Sequence, residues 1–498
     1  MVSAQPRQEC PRTMLSILVC HSYFLRFDPK QVERAKPYPP LATLQVAGLL
    51  RKAGHEVALF DAMLATGVEE YDRKLAEVQP HVVLFYEDTF NFLSKMCLGK
   101  MREAACRMIG TAHRAGARVI ACGPDVSDAP EPYLRAGAEV ALMGEGLATL
   151  LDLIPKLDGN TRKPTGELIE GLSGTMTLVN DEVVKVNGAR ILANQAQTGE
   201  SAAWDLLDIE RYRSVWIKAH GYFSLNLAAS RGCSFRCSWC AKPIWGNQYL
   251  QRDAVAVANE MLYLKRAFKP DHIWFADDIF GFRVDWVNEF AATLDAAGGG
   301  IPFTIQTRAD LLSERMAAAL AAAGCREAWI GAESGSQRVL DAMNKGTTVT
   351  EIVTGRERLK GVGIRAGFFI QVGYLDEQLS DILATRALLE LARPDDVGVS
   401  VSYPLPGTRF YELVKAQLNG KTHWQDSGDL AMMFQGTYTS EFYRAVRNLI
   451  HDQVTLQTVE PAGQNSPSKR ALERRWHDLV SRESLHRTQP LSGAARTG

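Results

Sequence analysis

Two long stretches of this chain alternate short apolar runs with helix-period segments, and that alternation constrains the fold more than any other feature. From Met14 to about Pro155 the runs MLSILVC, HEVALFDA, HVVLFYE, ARVIACG and AEVALMG have strand length. Between them ATLQVAGLLRKAG, YDRKLAEVQ and CRMIGTAHRAG place apolar residues at helical spacing and close at Gly or Pro. This pattern predicts a doubly wound, Rossmann-like parallel sheet over residues 14–155. Such sheets take ligands beyond the carboxyl ends of their strands, so the loops CGPDVSDAPEP (122–132) and MGEGLAT (143–149) are the places to look. Gly123, Gly144, Glu145 and Gly146 are the cofactor-facing positions there, although the glycines taken alone read as strand-to-helix turns.

Residues 156–220 change character. LDGNTRKPTGE is polar and punctuated, and TMTLVNDEVVKVNGARIL reads as a hairpin turning at Asn180-Asp181, so this segment is expected to be a connector with a small β-element. A second alternating series fills 221–415. Its strands are SLNLAAS, HIWFADD, PFTIQTR, EAWIGAES, GFFIQVGY and VGVSVSYPL, and six strand-to-helix steps predict a partial (βα)6 barrel with its active site at the strand ends. Those ends carry Asp277-Asp278, Arg308, Glu333-Ser334 and Asp376-Glu377. Residues 416–458, rich in aromatic residues and Met, are expected to form a helical substrate-side region. The helix at 440–456 is expected to be the last packed element, with the polar tail 459–498 largely disordered apart from one helix around Arg470 to Arg482, solvated rather than packed.

A length of 498 residues, 46% of them hydrophobic, suits two or three domains. Lys plus Arg (56) balances Asp plus Glu (57), which gives no field directed at nucleic acid or an anionic membrane. No apolar run has the length of a transmembrane helix, and MLSILVC leads onward without a cleavage pattern, so no signal peptide is expected. Nine scattered cysteines do not make a disulfide framework, which points to the cytoplasm.

Three of those cysteines stand together in RGCSFRCSWCAKP. The spacing of Cys233, Cys237 and Cys240 lets one loop fold three sulfurs about a centre just after the first strand of the barrel series. Structural zinc wants four ligands, and the loop offers no fourth Cys or His. Three thiolates suit a four-iron cubane with one iron left open.

The CxxxCxxC pattern, with Trp239 before its last cysteine, resembles the signature of the radical S-adenosylmethionine (SAM) superfamily. IWFADDIF, WIGAESGSQRVLDAMNKG, GFFIQVGY and SYPLPGTRFYE resemble strand segments of the subgroup with an N-terminal cobalamin-binding domain. The resemblance spans about residues 14–415. It implies a [4Fe–4S] cluster on Cys233, Cys237 and Cys240, with SAM chelated at the open iron and an electron from a donor such as flavodoxin or ferredoxin. In that frame Asp277 or Asp278 meets the SAM ammonium or a substrate polar group. Glu333 and Ser334 reach the ribose or methionyl end, Arg308 meets the SAM carboxylate or a substrate anion, and Trp239 packs beside the cluster. The resemblance also implies cobalamin in the first domain. The DxHxxG signature is absent, with His21 standing in CHSYFLRF, so no histidine is expected below the cobalt, and His21, His55, His81 and His113 read as surface or strand-edge residues. The implied function is C-methylation of a small-molecule or lipid-like substrate. A cyclase or rearrangement enzyme of the tetrapyrrole-cyclase kind and a non-catalytic cobalamin or Fe–S sensor or carrier are the alternatives. A nucleic-acid role is disfavoured because no basic stripe or RNA-binding module is visible.

Overall fold

A computed structural model describes residues 14–90, 99–157, 163–186, 188–190, 202–240, 247–418, 430–460 and 466–488. The chain divides into two compact units, with the division between Asn226 and Leu227.

The first unit is built on strands β1 (Ser16–Cys20), β2 (Glu56–Phe60), β3 (Val82–Tyr86), β4 (Arg118–Cys122), β5 (Val140–Leu142), β6 (Thr175–Val179) and β7 (Glu182–Val186). They form one sheet in the order β2-β1-β3-β4-β5-β6-β7. The central strands VVLFY and RVIAC are buried throughout, as strands covered on both faces must be. β1 through β5 pair in parallel, and their order reverses between β1 and β3, which is the switch point where such sheets open a crevice. The predicted hairpin turns at Asn180-Asp181, both with left-handed φ (50° and 69°). Its strands do not stand apart in a connector: β6 pairs antiparallel with β5, extending the first sheet to residue 186.

The second unit follows β8 (Ser224–Leu227) with a short ribbon of β9 (Ser230–Gly232) and β10 (Tyr249–Gln251). Then come β11 (His272–Phe275), β12 (Phe303–Thr307), β13 (Cys325–Glu333), β14 (Arg365–Val372) and β15 (Asp396–Val401). The six long-series strands lie in the order β15-β14-β13-β12-β11-β8, and the pairs from β11 to β15 are parallel, as the six-step pattern predicts. Along β14, Ala366, Phe368, Ile370 and Val372 are buried on one face, while Gly367, Phe369 and Gln371 occupy the other by alternation. Trp329 stacks on Phe369 with ring centroids 4.8 Å apart. Its indole occupies the space of a side chain at Gly367, where a Cβ would lie 2.6 Å from the ring.

The expectation of a disordered tail is corrected for residues 466–488, where the helix expected around Arg470 to Arg482 is present and packed. A helix over Pro467–Ser481 is capped by Ser466 and buries Leu472, Trp476 and Leu479, spaced four and three residues apart on one helical face. The helix Ser440–Val459 is therefore not the last packed element. Residues 461–465 and 489–498 of the tail lie outside the described residues. No helix among the described residues is long and apolar enough to cross a membrane.

Candidate active site

The cysteine loop opens directly from β9. Gly232 turns the chain with φ 75°, Cys233 follows it into a buried position, and the Cys240 N–H donates to the Cys237 carbonyl at 3.2 Å. Three contacts from later in the chain hold the loop. Ser238 N–H donates to Met343 O at 2.8 Å, Ser238 O accepts from Phe410 N–H at 2.9 Å, and Asn344 Nδ2 donates to Arg236 O at 2.8 Å. None of the seven described cysteines, these three included, is joined in a disulfide. Among the described residues no three Cys, His, Asp or Glu side chains converge on a single-ion site. A thiolate-rich set fits an iron–sulfur cluster, which Cys233, Cys237 and Cys240 would hold. The Trp239 indole Nε1 is buried without a hydrogen-bond partner beside them.

Asp277 sits at the end of β11, 1% exposed. Its carboxyl accepts from the Ala229 N–H (3.0 Å) and from the Ser230 hydroxyl, so it fastens the strand end that feeds Cys233. Burial pushes this carboxyl up to about 7, against the opposing pull of the Ser230 and Ala229 hydrogen bonds. Asp278 lies beside it at the same strand end.

At the end of β12 the Arg308 guanidinium is 3% exposed. Nε and Nη2 donate to the two Asp310 oxygens at 2.9 and 3.0 Å, and Nη2 also reaches Lys345 O at 2.8 Å and Thr347 Oγ1 at 3.0 Å. The guanidinium lies 3.6 Å from the centroid of the Phe235 ring, and Nη1 points to Cys237 Sγ at 3.8 Å.

Glu333 ends β13 in a left-handed conformation (φ 58°) at a register shift, a strained position for a residue with a side chain. Its carboxylate takes the Lys345 ammonium at 2.8 Å, both side chains being buried. The neighbouring Ser334 hydroxyl contacts Thr385 Oγ1 at 3.2 Å and accepts from Ser336 N–H at 3.1 Å. Asp277, Arg308, Glu333 and Ser334 are thus brought to the carboxyl ends of neighbouring strands, each already held by protein groups. Sequence reading missed Lys345 and Phe235, the partners of Glu333 and Arg308, because their pairings join residues remote in sequence. It also missed two oxygens. Gln371 Oε1 and Ser402 Oγ are buried and unpartnered. Ser402 N–H donates to Val372 O at 2.9 Å, which puts Ser402 on the face of Gln371 by alternation.

In the first unit the switch point holds a buried ionisable cluster. His21, after β1, is fully buried rather than at a surface. Its Nε2 lies 2.9 Å from Asp61 Oδ1, and Asp61 also accepts from the Tyr212 hydroxyl at 2.6 Å. Burial alone would lower the His21 pKa, but the hydrogen bond and charge of Asp61, with Glu87 and Asp88, raise it. Glu87, pushed up by burial, accepts from the Ser22 hydroxyl at 2.7 Å. This crevice has the topology for a large ligand, and His21 within it is held at Nε2 by Asp61 and at Nδ1 by the Tyr23 N–H at 3.3 Å. Gly123 and Gly146 are explained by packing. A Cβ at Gly123 would lie 2.8 Å from Glu87 Cβ, and one at Gly146 would lie 2.5 Å from Cys122 Sγ. Gly144 N–H donates to Ser127 Oγ at 2.8 Å, and Glu145 O accepts from the Tyr86 hydroxyl at 2.7 Å.

A six-stranded parallel sheet with a tri-cysteine loop after its first strand defines a radical SAM domain, and residues 227–389 match the family model described as the Radical SAM superfamily. The chain carries that domain behind a doubly wound one. It is 24% identical over 379 residues to an uncharacterized methyltransferase of Pyrococcus horikoshii, covering 75% of this chain and 78% of the other. It is 24% identical over 396 residues to the anaerobic magnesium-protoporphyrin IX monomethyl ester cyclase of Cereibacter sphaeroides (78% and 62%). It is 22% identical over 397 residues to the hopanoid C-3 methylase of Methylococcus capsulatus (77% and 70%). The fold is that of two solved enzymes. The radical SAM methyltransferase TsrM of Kitasatospora setae, solved with cobalamin and a [4Fe–4S] cluster, superposes with a TM-score of 0.62 at 18% identity, covering 82% of this chain and 79% of that one. The cobalamin-dependent SAM radical enzyme OxsB, solved with aqua-cobalamin and SAM, superposes with a TM-score of 0.66 at 16% identity (95% and 72%).

Proposed function

We propose that this chain is a cobalamin-dependent radical SAM methyltransferase that methylates an unactivated carbon of a small-molecule or lipid-like substrate. The observation that carries the reading is the pinned loop that brings Cys233, Cys237 and Cys240, none of them in a disulfide, to the strand ends of a radical SAM sheet. When bound, the cluster supplies the electron that cleaves SAM to a 5′-deoxyadenosyl radical, and cobalamin supplies the methyl group. The protein's part is positional. Asp277 holds residues 229–230 so that Cys233 leaves β9 at a set angle, while the contacts to Met343, Asn344 and Phe410 keep Cys237 and Cys240 from spreading. His21, bonded at Nε2 to Asp61 and at Nδ1 to the Tyr23 N–H, would not serve as a cobalt ligand were cobalamin bound in this unit. An external one-electron donor of the flavodoxin or ferredoxin kind completes the system, in a compartment that keeps thiols reduced.

Anaerobic purification with cobalamin supplied tests this reading. About four irons and one corrin per chain are expected, with iron lost when the three cysteines become alanine. Reduction with SAM should give 5′-deoxyadenosine, and the cob(II)alamin electron resonance should lack nitrogen splitting from a protein imidazole. Iron without corrin would overturn cobalt-borne methyl transfer. A second reading, ring closure or rearrangement, is favoured by the likeness to the cyclase. Labelled methyl reaching product from SAM decides against it. Loaded protein that never yields 5′-deoxyadenosine would point to a sensor or carrier.

A further inference from the structure

The geometry points to Arg308 as the residue that sets the reduction potential of the cluster carried by the cysteine loop; this rests on the reading above that such a cluster is present. Four observations meet at this one side chain. The guanidinium is almost wholly removed from water, at 3% exposure, so its charge is weakly screened. Its orientation is fixed by the two-point bond to Asp310 and by the Lys345 carbonyl and Thr347 hydroxyl, which occupy Nε and Nη2. Phe235, which lies between two of the cysteines in the loop, has its ring against the guanidinium at 3.6 Å, locking arginine and loop together. The remaining donor, Nη1, is directed at Cys237 Sγ, 3.8 Å away.

A cation that donates to a ligating sulfur favours the more negative state of a cluster. Reduction adds one electron from an external donor to the oxidised cluster and breaks no bond, so the added negative charge develops beside Nη1. Asp310 opposes the effect through its own charge, but it binds the far edge of the guanidinium. The arginine therefore makes the cluster easier to reduce, and Asp310 limits how much.

The test is a potentiometric titration of the reconstituted full-length protein without SAM, followed by electron resonance of the reduced cluster, with iron content measured in parallel. Arg308→Gln should change the oxidised-to-reduced ratio at a fixed potential about tenfold towards oxidised, a fall of ~59 mV for a one-electron couple. Asp310→Asn should move the midpoint upward. Arg308→Lys, which keeps the charge without the two-point grip, should lie between wild type and Arg308→Gln. If Arg308→Gln loses its iron, Asp310→Asn and Arg308→Lys carry the test. An unmoved midpoint in the iron-loaded variants overturns the inference. So does a weakened SAM affinity in Arg308→Gln with the SAM-free potential unchanged, which would assign the guanidinium to the SAM carboxylate. Wild-type protein that takes up no four-iron cluster would overturn the proposed function itself, whereas a loaded wild type with indifferent variants overturns only the role of Arg308.

Discussion

Asp277→Asn tests whether the strand-end aspartate is a scaffold group, because it makes the protein's pH–stability curve change shape. The folded chain raises this carboxyl from 3.8 to about 7, chiefly by burial. The folded state therefore keeps a proton that the unfolded state has already lost, and stability is shed as pH rises from about 4 through about 7 and stays lost above that. At 1.36 kcal/mol per pH unit the full penalty is ~4 kcal/mol, of which ~2.5 kcal/mol develops between about pH 5 and pH 8.5. Asparagine carries no proton equilibrium here and can still accept from Ala229 N–H. Unfolding midpoints of cluster-free wild type and variant, followed by circular dichroism across this range, isolate Asp277, since every other titrating group cancels in the difference. The variant should gain on wild type by roughly 5–10 °C between the two ends of the range. Parallel curves would refute the reasoning and would mean that solvent or a neighbouring cation reaches the carboxyl.

Lys345→Met leaves the Glu333 carboxylate buried without its cation and should cost about 3–5 kcal/mol, while Lys345→Met with Glu333→Gln should recover most of it; equal losses in single and double variants, read by urea unfolding, would show that the pair is not coupled. Gln371→Met removes a buried oxygen that has no partner and should raise the unfolding midpoint, by an amount corresponding to about 1–3 kcal/mol, with a fall indicating that the oxygen is satisfied. Gly335→Ala would set a Cβ 2.3 Å from the Ala384 carbonyl oxygen on a rigid helix, so poor folding yield is expected and a wild-type yield would refute the packing.

Much of this architecture was legible because local chemistry and tertiary structure agree. All six strands of the second series appear where alternation and apolar runs place them, and Asn180-Asp181 turns the hairpin because both residues tolerate the left-handed region. What was not legible was set by partners distant in sequence. The hairpin's attachment to β5 depends on an edge that only the folded sheet creates. The helix around Arg470 to Arg482 was legible, but the charge around Leu472, Trp476 and Leu479 hid that its narrow apolar stripe docks. His21 was read as an ordinary histidine because nothing near it announces Asp61, forty residues away.

The same division separates the strand-end polar residues by role. A buried polar atom left without a hydrogen-bond partner needs an explanation, and a ligand contact is one. Asp277, Arg308 and Glu333, the residues a pattern of charged strand ends selects first, are each held by protein partners. Buried atoms without a hydrogen-bond partner include Gln371 Oε1, Ser402 Oγ and the Trp239 indole Nε1, and Gln371, an uncharged residue in an apolar strand, gives no warning of it. Each buried oxygen left without a partner costs stability that packing alone would remove. A ligand bearing a hydrogen-bond donor over the Trp329 and Phe369 rings would recover that cost, so substrate affinity should track Gln371 and Ser402 more closely than any of the carboxylates.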